Sequence, residues 1–202
     1  MDIYEKSLEI LKRLVDSGID FYLVGGWAVW CYNPYMKSKD IDIIVTEKDF
    51  WKLKDFLLGL GFRETAKVLE KKGFSMLWNS DKIEIDVYDK KIGKFDIKGL
   101  IENSTKKKIN SSMVSVISIT NLFILKSFTA TERMGTAKGE KDLSDLLALL
   151  DVYYKDIDWS ELEIKDLLKI LLKDYKQTTR IYPINLEKYK KIKNYLKKLK
   201  LV

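Results

Sequence analysis

The chain has 202 residues, 46% of them hydrophobic and 33% charged, which is enough for one domain or two small ones and excludes a disordered or fibrous protein. It contains no histidine and a single cysteine, Cys31. This excludes Ser-His and Cys-His nucleophile systems, histidine-ligated zinc and intrachain disulfides, so any enzyme chemistry must rest on carboxylates. A net charge of +7, from 37 Lys+Arg against 30 Asp+Glu, favours an anionic partner such as nucleic acid or nucleotide, with a lysine-rich or thermophilic proteome as the competing explanation.

Asp2–Ser17 reads as an amphipathic helix with Tyr4, Leu8, Leu11 and Val15 on one stripe, Asp2 and Glu5 at capping-box spacing and Gly18 as the stop. An apolar strand follows over Phe21–Val24, then the glycine pair Gly25-Gly26, then a short helix over Trp27–Tyr32 that Asn33-Pro34 ends. Cys31, within that helix, reads as a buried structural thiol, and its isolation points to a reducing cytoplasm. The loop Met36–Lys39 leads into a second strand, Ile41–Val45. A helix capped near Thr46 and Asp49 then buries Phe50, Leu53, Leu57 and Leu60 and stops at Gly59–Gly61.

Phe62–Glu64 and Phe74–Trp78 are candidate strands joined by a polar segment with Lys71-Lys72-Gly73. The turn Asn79-Ser80-Asp81 opens an alternating strand, Lys82–Tyr88, with Ile83, Ile85 and Val87 inward and Glu84, Asp86 and Tyr88 outward. Ile101–Ser112, with Lys106-Lys107-Lys108, reads as a polar approach to a domain boundary, and Met113–Ile117 as one last strand. The remainder is helical: Asn121–Arg133 capped by Thr120, Lys141–Tyr154, Ile164–Lys176, and Leu186–Leu199 capped by Asn185 after Pro183. The lysines of the final helix read as a solvated face, with an RNA-backbone contact as the alternative, and its buried stripe as Leu186, Tyr189, Ile192, Leu196 and Leu199. No apolar run is long enough to span a bilayer and no signal-peptide pattern opens the chain, so the expectation is a cytoplasmic protein without a membrane partner.

The chemistry concentrates in Phe21–Val45. Side chains alternate along a strand, so Asp40 and Asp42 are expected on one face with Ile41 and Ile43 on the other. Two carboxylates at that spacing repel unless a cation lies between them, and all-oxygen ligation suits Mg²⁺ or Mn²⁺. The backbone N–H groups of Gly25 and Gly26, between a strand and a helix start, can approach a phosphate closely. Together these features point to phosphoryl or nucleotidyl transfer.

Gly25-Gly26-Trp27-Ala28-Val29 followed by Asp40-Ile41-Asp42 resembles the signature of the DNA polymerase β-like nucleotidyltransferases. Within them it is similar to the small antibiotic nucleotidyltransferases and to the toxin nucleotidyltransferases of abortive-infection and toxin–antitoxin systems. The resemblance implies an α+β fold: a mixed-sheet nucleotidyltransferase core with flanking helices over residues 1–112, then a C-terminal helical bundle over 113–202. It implies a nucleoside triphosphate co-substrate and a two-metal mechanism with Asp40, Asp42 and Asp86 as catalytic metal ligands, Asp86 matching the family's third carboxylate and Glu84 competing for that place. It further implies triphosphate contacts from Lys37, Ser38 or Lys39 in the loop and from Lys126 on the first helix of the helical half. Many family members carry serine after the glycine pair. Trp27 stands there instead, so a phosphate contact from that position is unavailable.

The run Lys141-Asp142…Asp145 also resembles the family, although Lys141 and Asp145 read as a surface i,i+4 pair. The basic balance favours tRNA or another RNA as acceptor, in a toxin-like role with a neutralising antitoxin protein as a further partner. The alternatives are a small-molecule, antibiotic-type nucleotidyltransferase, a catalytically inactive nucleotide- or RNA-binding module, and self-nucleotidylation.

Overall fold

The structure is a computed structural model that describes residues 2–64, 74–78, 83–109, 111–161 and 164–202. The chain divides into two compact units, Met1–Ser118 and Ile119–Val202. The expected segments Lys71-Lys72-Gly73 and Asn79-Ser80-Asp81, with Lys82, lie outside the described residues.

In the first unit, helix α1 (Ile3–Asp16) is capped by Asp2, whose carboxylate accepts from the Glu5 N–H at 2.8 Å. Its buried stripe is Ser7, Leu8, Leu11 and Leu14 rather than the expected set, because Tyr4 is 45% exposed. Gly18 ends it at φ +72°, a left-handed turn that costs glycine nothing.

Strands β1 (Phe21–Val24) and β2 (Ile41–Val45) pair antiparallel at the middle of a seven-stranded mixed sheet of order β3-β4-β5-β2-β1-β9-β8. The outer members are β3 (Arg63–Glu64), β4 (Phe74–Trp78), β5 (Glu84–Tyr88), β8 (Thr105–Ile109) and β9 (Ser112–Val116). Parallel pairs β1–β9 and β2–β5 flank the central antiparallel pair. The central strands are nearly continuous apolar runs because both faces are covered. Leu23, Ile41, Ile43, Ile44 and Val45 are fully buried, each worth roughly 1.5–3 kcal/mol of burial. In β5 the alternation holds as expected: Ile83, Ile85 and Val87 are buried.

Helix α2 (Gly25–Tyr32) starts on the glycine pair itself, and α3 (Glu47–Gly59) follows Thr46 and ends before Gly61 at φ +85°. Thr46 caps α3 without a side-chain hydrogen bond, and Leu53 and Leu57 carry its buried face.

Residues 101–112 depart from expectation. Lys106-Lys107-Lys108 form part of the edge strand β8, antiparallel to β9, rather than a polar approach to a boundary. Alternation survives the lysines because an edge strand needs only one covered face, and lysine on an edge discourages pairing with other chains. β9 is bound into the sheet through β1, and the first compact unit runs to Ser118. A small hairpin, β6 (Lys91–Ile92) with β7 (Phe95–Asp96), and the short helix α4 (Ile97–Ile101) complete the unit.

The second unit is helical: α5 (Ile119–Glu132), α6 (Ala137–Tyr153), α7 (Lys165–Leu171), α8 (Tyr175–Ile181) and α9 (Leu186–Lys198). Thr120 does not cap α5. It lies inside the helix, and its hydroxyl oxygen accepts from the Asp158 N–H at 2.9 Å. The single helix expected over 164–176 is broken in two because Asp174 takes an extended backbone and caps α8, accepting from Gln177 N–H at 2.8 Å. In α9, Tyr189, Ile192 and Leu196 are buried, while the terminal Leu186 and Leu199 are 44% and 43% exposed. No helix among the described residues is long and apolar enough to cross a membrane.

Candidate active site

Register sets the geometry of the expected carboxylates. In the parallel pair β2–β5, Asp42 lies level with Asp86 and Ile41 with Ile85, so the two aspartates are neighbours on one face of the sheet. Glu84 precedes the first paired position and is not level with Asp42.

On its other side Asp42 lies level with Val24, the residue before the glycine pair. Gly25 sits there at φ +62°, and a Cβ on it would fall 2.0 Å from Asp42 Oδ2. A side chain at 25 is therefore disfavoured for two independent reasons, backbone conformation and contact with the carboxylate. The aspartate carboxylate and the first turn of α2 form one surface.

Asp40 behaves differently. It lies in a bend ahead of Ile41 rather than on the pleat, so strand alternation does not govern it. Among the described residues its buried Oδ1 has no hydrogen-bond partner, with the Lys39 ammonium 3.6 Å away. Among the described residues no group of three acidic side chains forms a ready-made metal cage. Of the three expected carboxylates, Asp42 and Asp86 are adjacent by register, and Asp40 lies in the bend that leads into the same strand. The donor chemistry nonetheless suits a hard divalent cation, with oxygen donors only and a buried carboxylate oxygen on Asp40 that no hydrogen bond satisfies.

The basic loop is engaged within the protein. Lys37 is paired with Glu5 of α1, Ser38 is buried, and Lys39 is 44% exposed beside Asp40. Trp27 turns away from the carboxylates into the core, where its indole N–H donates to Ser7 Oγ at 2.9 Å and its ring meets Trp30 edge-on. This anchors α2, and with it Gly25, to α1. Cys31 is chemically quiet: burial pushes its thiol up to about 12, with Lys107 acting weakly in the other direction.

Lys126 lies in the second unit, on α5, where it is buried between Asp142 (3.0 Å) and Asp145 (2.6 Å) of α6. Burial alone would lower its pKa. Attraction and hydrogen bonds from Asp145 and Asp142 outweigh that and hold it above its ordinary value. Arg133 stands 3.6 Å from Asp142.

Asp145 is therefore an interior residue and not half of a surface pair with Lys141, which is exposed. The signal was present in the sequence: Asp142, Asp145, Leu146 and Leu149 share the i, i+3, i+4, i+7 stripe that α6 buries.

No curated protein is significantly similar to the chain. Among solved structures, an antigenic nucleotidyltransferase-like protein from Paracoccidioides brasiliensis is 16% identical with a TM-score of 0.56, covering 88% of this chain and 91% of that one. ANT(2")-Ia in complex with adenylyl-2"-tobramycin is 14% identical with a TM-score of 0.58, covering 71% and 87%. The lincosamide antibiotic adenylyltransferase LnuA, lincomycin-bound, is 14% identical with a TM-score of 0.50, covering 72% and 96%. At these identities the likeness is one of fold. A family model matches residues 3–197, nearly the whole chain, and with it this protein belongs to the family described as Nucleotidyl transferase of unknown function (DUF2204).

Proposed function

We propose that this nucleotidyltransferase moves a nucleoside monophosphate from a nucleoside triphosphate to an acceptor hydroxyl and releases pyrophosphate, with RNA, tRNA foremost, as acceptor. The observation that carries the reading is Asp42, level with Asp86 across β2–β5 and seated against Gly25.

Asp40, Asp42 and Asp86 would hold Mg²⁺ or Mn²⁺, which when bound polarises the α-phosphorus and offsets the charge of the leaving pyrophosphate. The acceptor oxygen forms its bond to the α-phosphorus as the bond to the β-phosphate oxygen breaks, and Asp86 takes the hydroxyl proton. Gly25 and Gly26 orient the triphosphate through backbone N–H groups, and Lys39, Ser38 and Lys37 are the loop residues placed to assist. For Lys37 this requires release from Glu5. For Lys126, whose ammonium is held by Asp142 and Asp145, a triphosphate contact requires the nucleotide to compete with two carboxylates.

The net charge of +7 supports a polyanionic acceptor, and a toxin-like role with a neutralising antitoxin follows from that choice. A small-molecule acceptor is the second reading, favoured by the antibiotic-bound neighbours of this fold. The test is transfer of label from an α-labelled nucleoside triphosphate in Mg²⁺ or Mn²⁺. Total tRNA, a panel of hydroxylated antibiotics and no acceptor are offered in parallel. Labelled tRNA supports the proposal, labelled antibiotic replaces it with the second reading, and no labelled product of any kind contradicts both.

A further inference from the structure

The helical unit gathers lysines around an aromatic pair in a way that solvation alone does not require. Tyr154, just after α6, and Tyr195, on α9, meet edge-to-face with ring centroids 5.1 Å apart, and both are half-buried. Lys155 Nζ lies 5.8 Å from the Tyr154 ring centroid and Lys188 Nζ 5.5 Å from it. Lys191 lies on the same face of α9 as Lys188 and Tyr195, three and four residues from them, and pairs with Glu187 at 2.6 Å. Exposed ammonium groups repel one another and ordinarily spread out over a surface. Here the negative face of one ring draws Lys155 and Lys188 together, an attraction of a kind that persists at exposed sites. Among the described residues, Glu187 is the carboxylate that pairs with one of these lysines.

We propose that Tyr154, Tyr195, Lys155, Lys188 and Lys191 form a contact site for single-stranded RNA, the lysines meeting phosphates and the tyrosine pair offering a surface for an unstacked base. Charge complementarity selects the occupant: a cluster of ammonium groups beside a half-buried aromatic pair suits a chain that alternates phosphates with flat rings, whereas an acidic protein surface offers the charge without the rings. The inference deepens the RNA-acceptor reading and rests on it for its biological meaning, but binding is measured apart from transfer.

The experiment is fluorescence anisotropy of a labelled single-stranded RNA oligonucleotide with the full chain across a salt series. Three proteins are compared: wild type, the triple variant Lys155→Gln/Lys188→Gln/Lys191→Gln, and a charge-matched control, Lys48→Gln/Lys90→Gln/Lys98→Gln. The control lysines are exposed residues of the first unit. The cluster variant is expected to bind at least about tenfold more weakly, with a salt slope reduced by about 2, as the loss of three phosphate contacts to a single strand requires. The control is expected to bind like wild type. Tyr154→Leu, which keeps every charge, is expected to weaken binding roughly fivefold.

Equal losses in the two triple variants, or competition by polyglutamate as strong as by unlabelled RNA, would overturn the site. So would wild type that fails to bind. If RNA binds through the cluster yet accepts no label in the transfer assay, the acceptor reading fails and this inference stands. If tRNA is labelled equally well by the cluster variant and binding is unchanged, the reverse holds.

Discussion

Both units set aspartates close together, buried in the helical unit and half-buried in the sheet, and their surroundings differ. On α5 and α6, Asp142 and Asp145 close on the ammonium of Lys126 at 3.0 and 2.6 Å, so the chain supplies its own cation. On β2 and β5, Asp42 and Asp86 are held level by sheet register, and Asp42 packs against a bare glycine backbone. The first arrangement is complete as an ion pair. The second presents oxygen donors and a glycine-lined surface, which is why the proposed chemistry is assigned there. The contrast teaches that short aspartate spacings carry no fixed meaning: a helix stripe turns Asp142 and Asp145 onto one lysine, whereas strand register sets Asp42 level with a carboxylate of the next strand.

The largest effect should come from breaking the complete pair. Lys126→Met leaves two carboxylates facing each other in the interior, and a loss of about 3–5 kcal/mol is expected in urea unfolding. The sign of the pH dependence follows from the raised Lys126 pKa. The contribution is fully present below the unfolded-state value of about 10.5 and is lost as pH climbs through the folded-state value. The stability gap between wild type and Lys126→Met should therefore stay constant through neutral pH and narrow only in strong alkali. A gap that closes near neutrality contradicts the assignment of Lys126 as the buried cation.

Gly25→Ala should cost about 2–3 kcal/mol, combining left-handed strain with the clash on Asp42. Gly18→Ala is the comparison that separates these contributions. It shares a positive φ of +72° but has nothing within 4 Å of the added methyl, so strain alone, roughly 1 kcal/mol, is expected. Equal costs at the two positions would mean that Asp42 yields freely, and the fixed carboxylate–glycine contact would be lost as a feature of the site. A smaller loss, about 1–2 kcal/mol by thermal unfolding, is expected for Trp27→Phe, which leaves the buried Ser7 hydroxyl without its indole donor. Smallest is Asp174→Ala, remote from both clusters in sequence, where removal of the α8 cap should cost about 1 kcal/mol with no change in nucleotidyl transfer.

The central sheet was legible from sequence because the signals there are strong and local, and the register of Asp42 and Asp86 follows from it. Phe21–Val24 and Ile41–Val45 are apolar runs bounded by glycine and charge, and Ile83, Ile85 and Val87 alternate without interruption. The α+β division, which the family resemblance implied, agrees with that pattern. What sequence reading could not supply was set by distant partners. The strand over Lys106-Lys107-Lys108 exists because β9 offers an edge to pair with, and no periodicity of its own announces it. The break at Asp174 is a contest between helix continuation and a side-chain cap, which composition leaves open. The position of Asp40 outside the pleat depends on where the strand begins, a boundary that alternation cannot fix to the residue. The engagement of Lys37 by Glu5 and of Lys126 by Asp142 and Asp145 joins residues remote in sequence.

The most direct test of the central claim is a Mn²⁺ titration followed by electron paramagnetic resonance, in the presence of a non-hydrolysable nucleoside triphosphate analogue, on wild type, Asp42→Asn, Asp86→Asn and Lys126→Met. The account predicts protein-bound Mn²⁺ in wild type and its loss in each of the two sheet variants, both still folded. A variant of the helical pair that folds should keep the ion. Undiminished Mn²⁺ binding in Asp42→Asn and Asp86→Asn would contradict the account, because the carboxylates that register places side by side would then not be the ones that hold the cation.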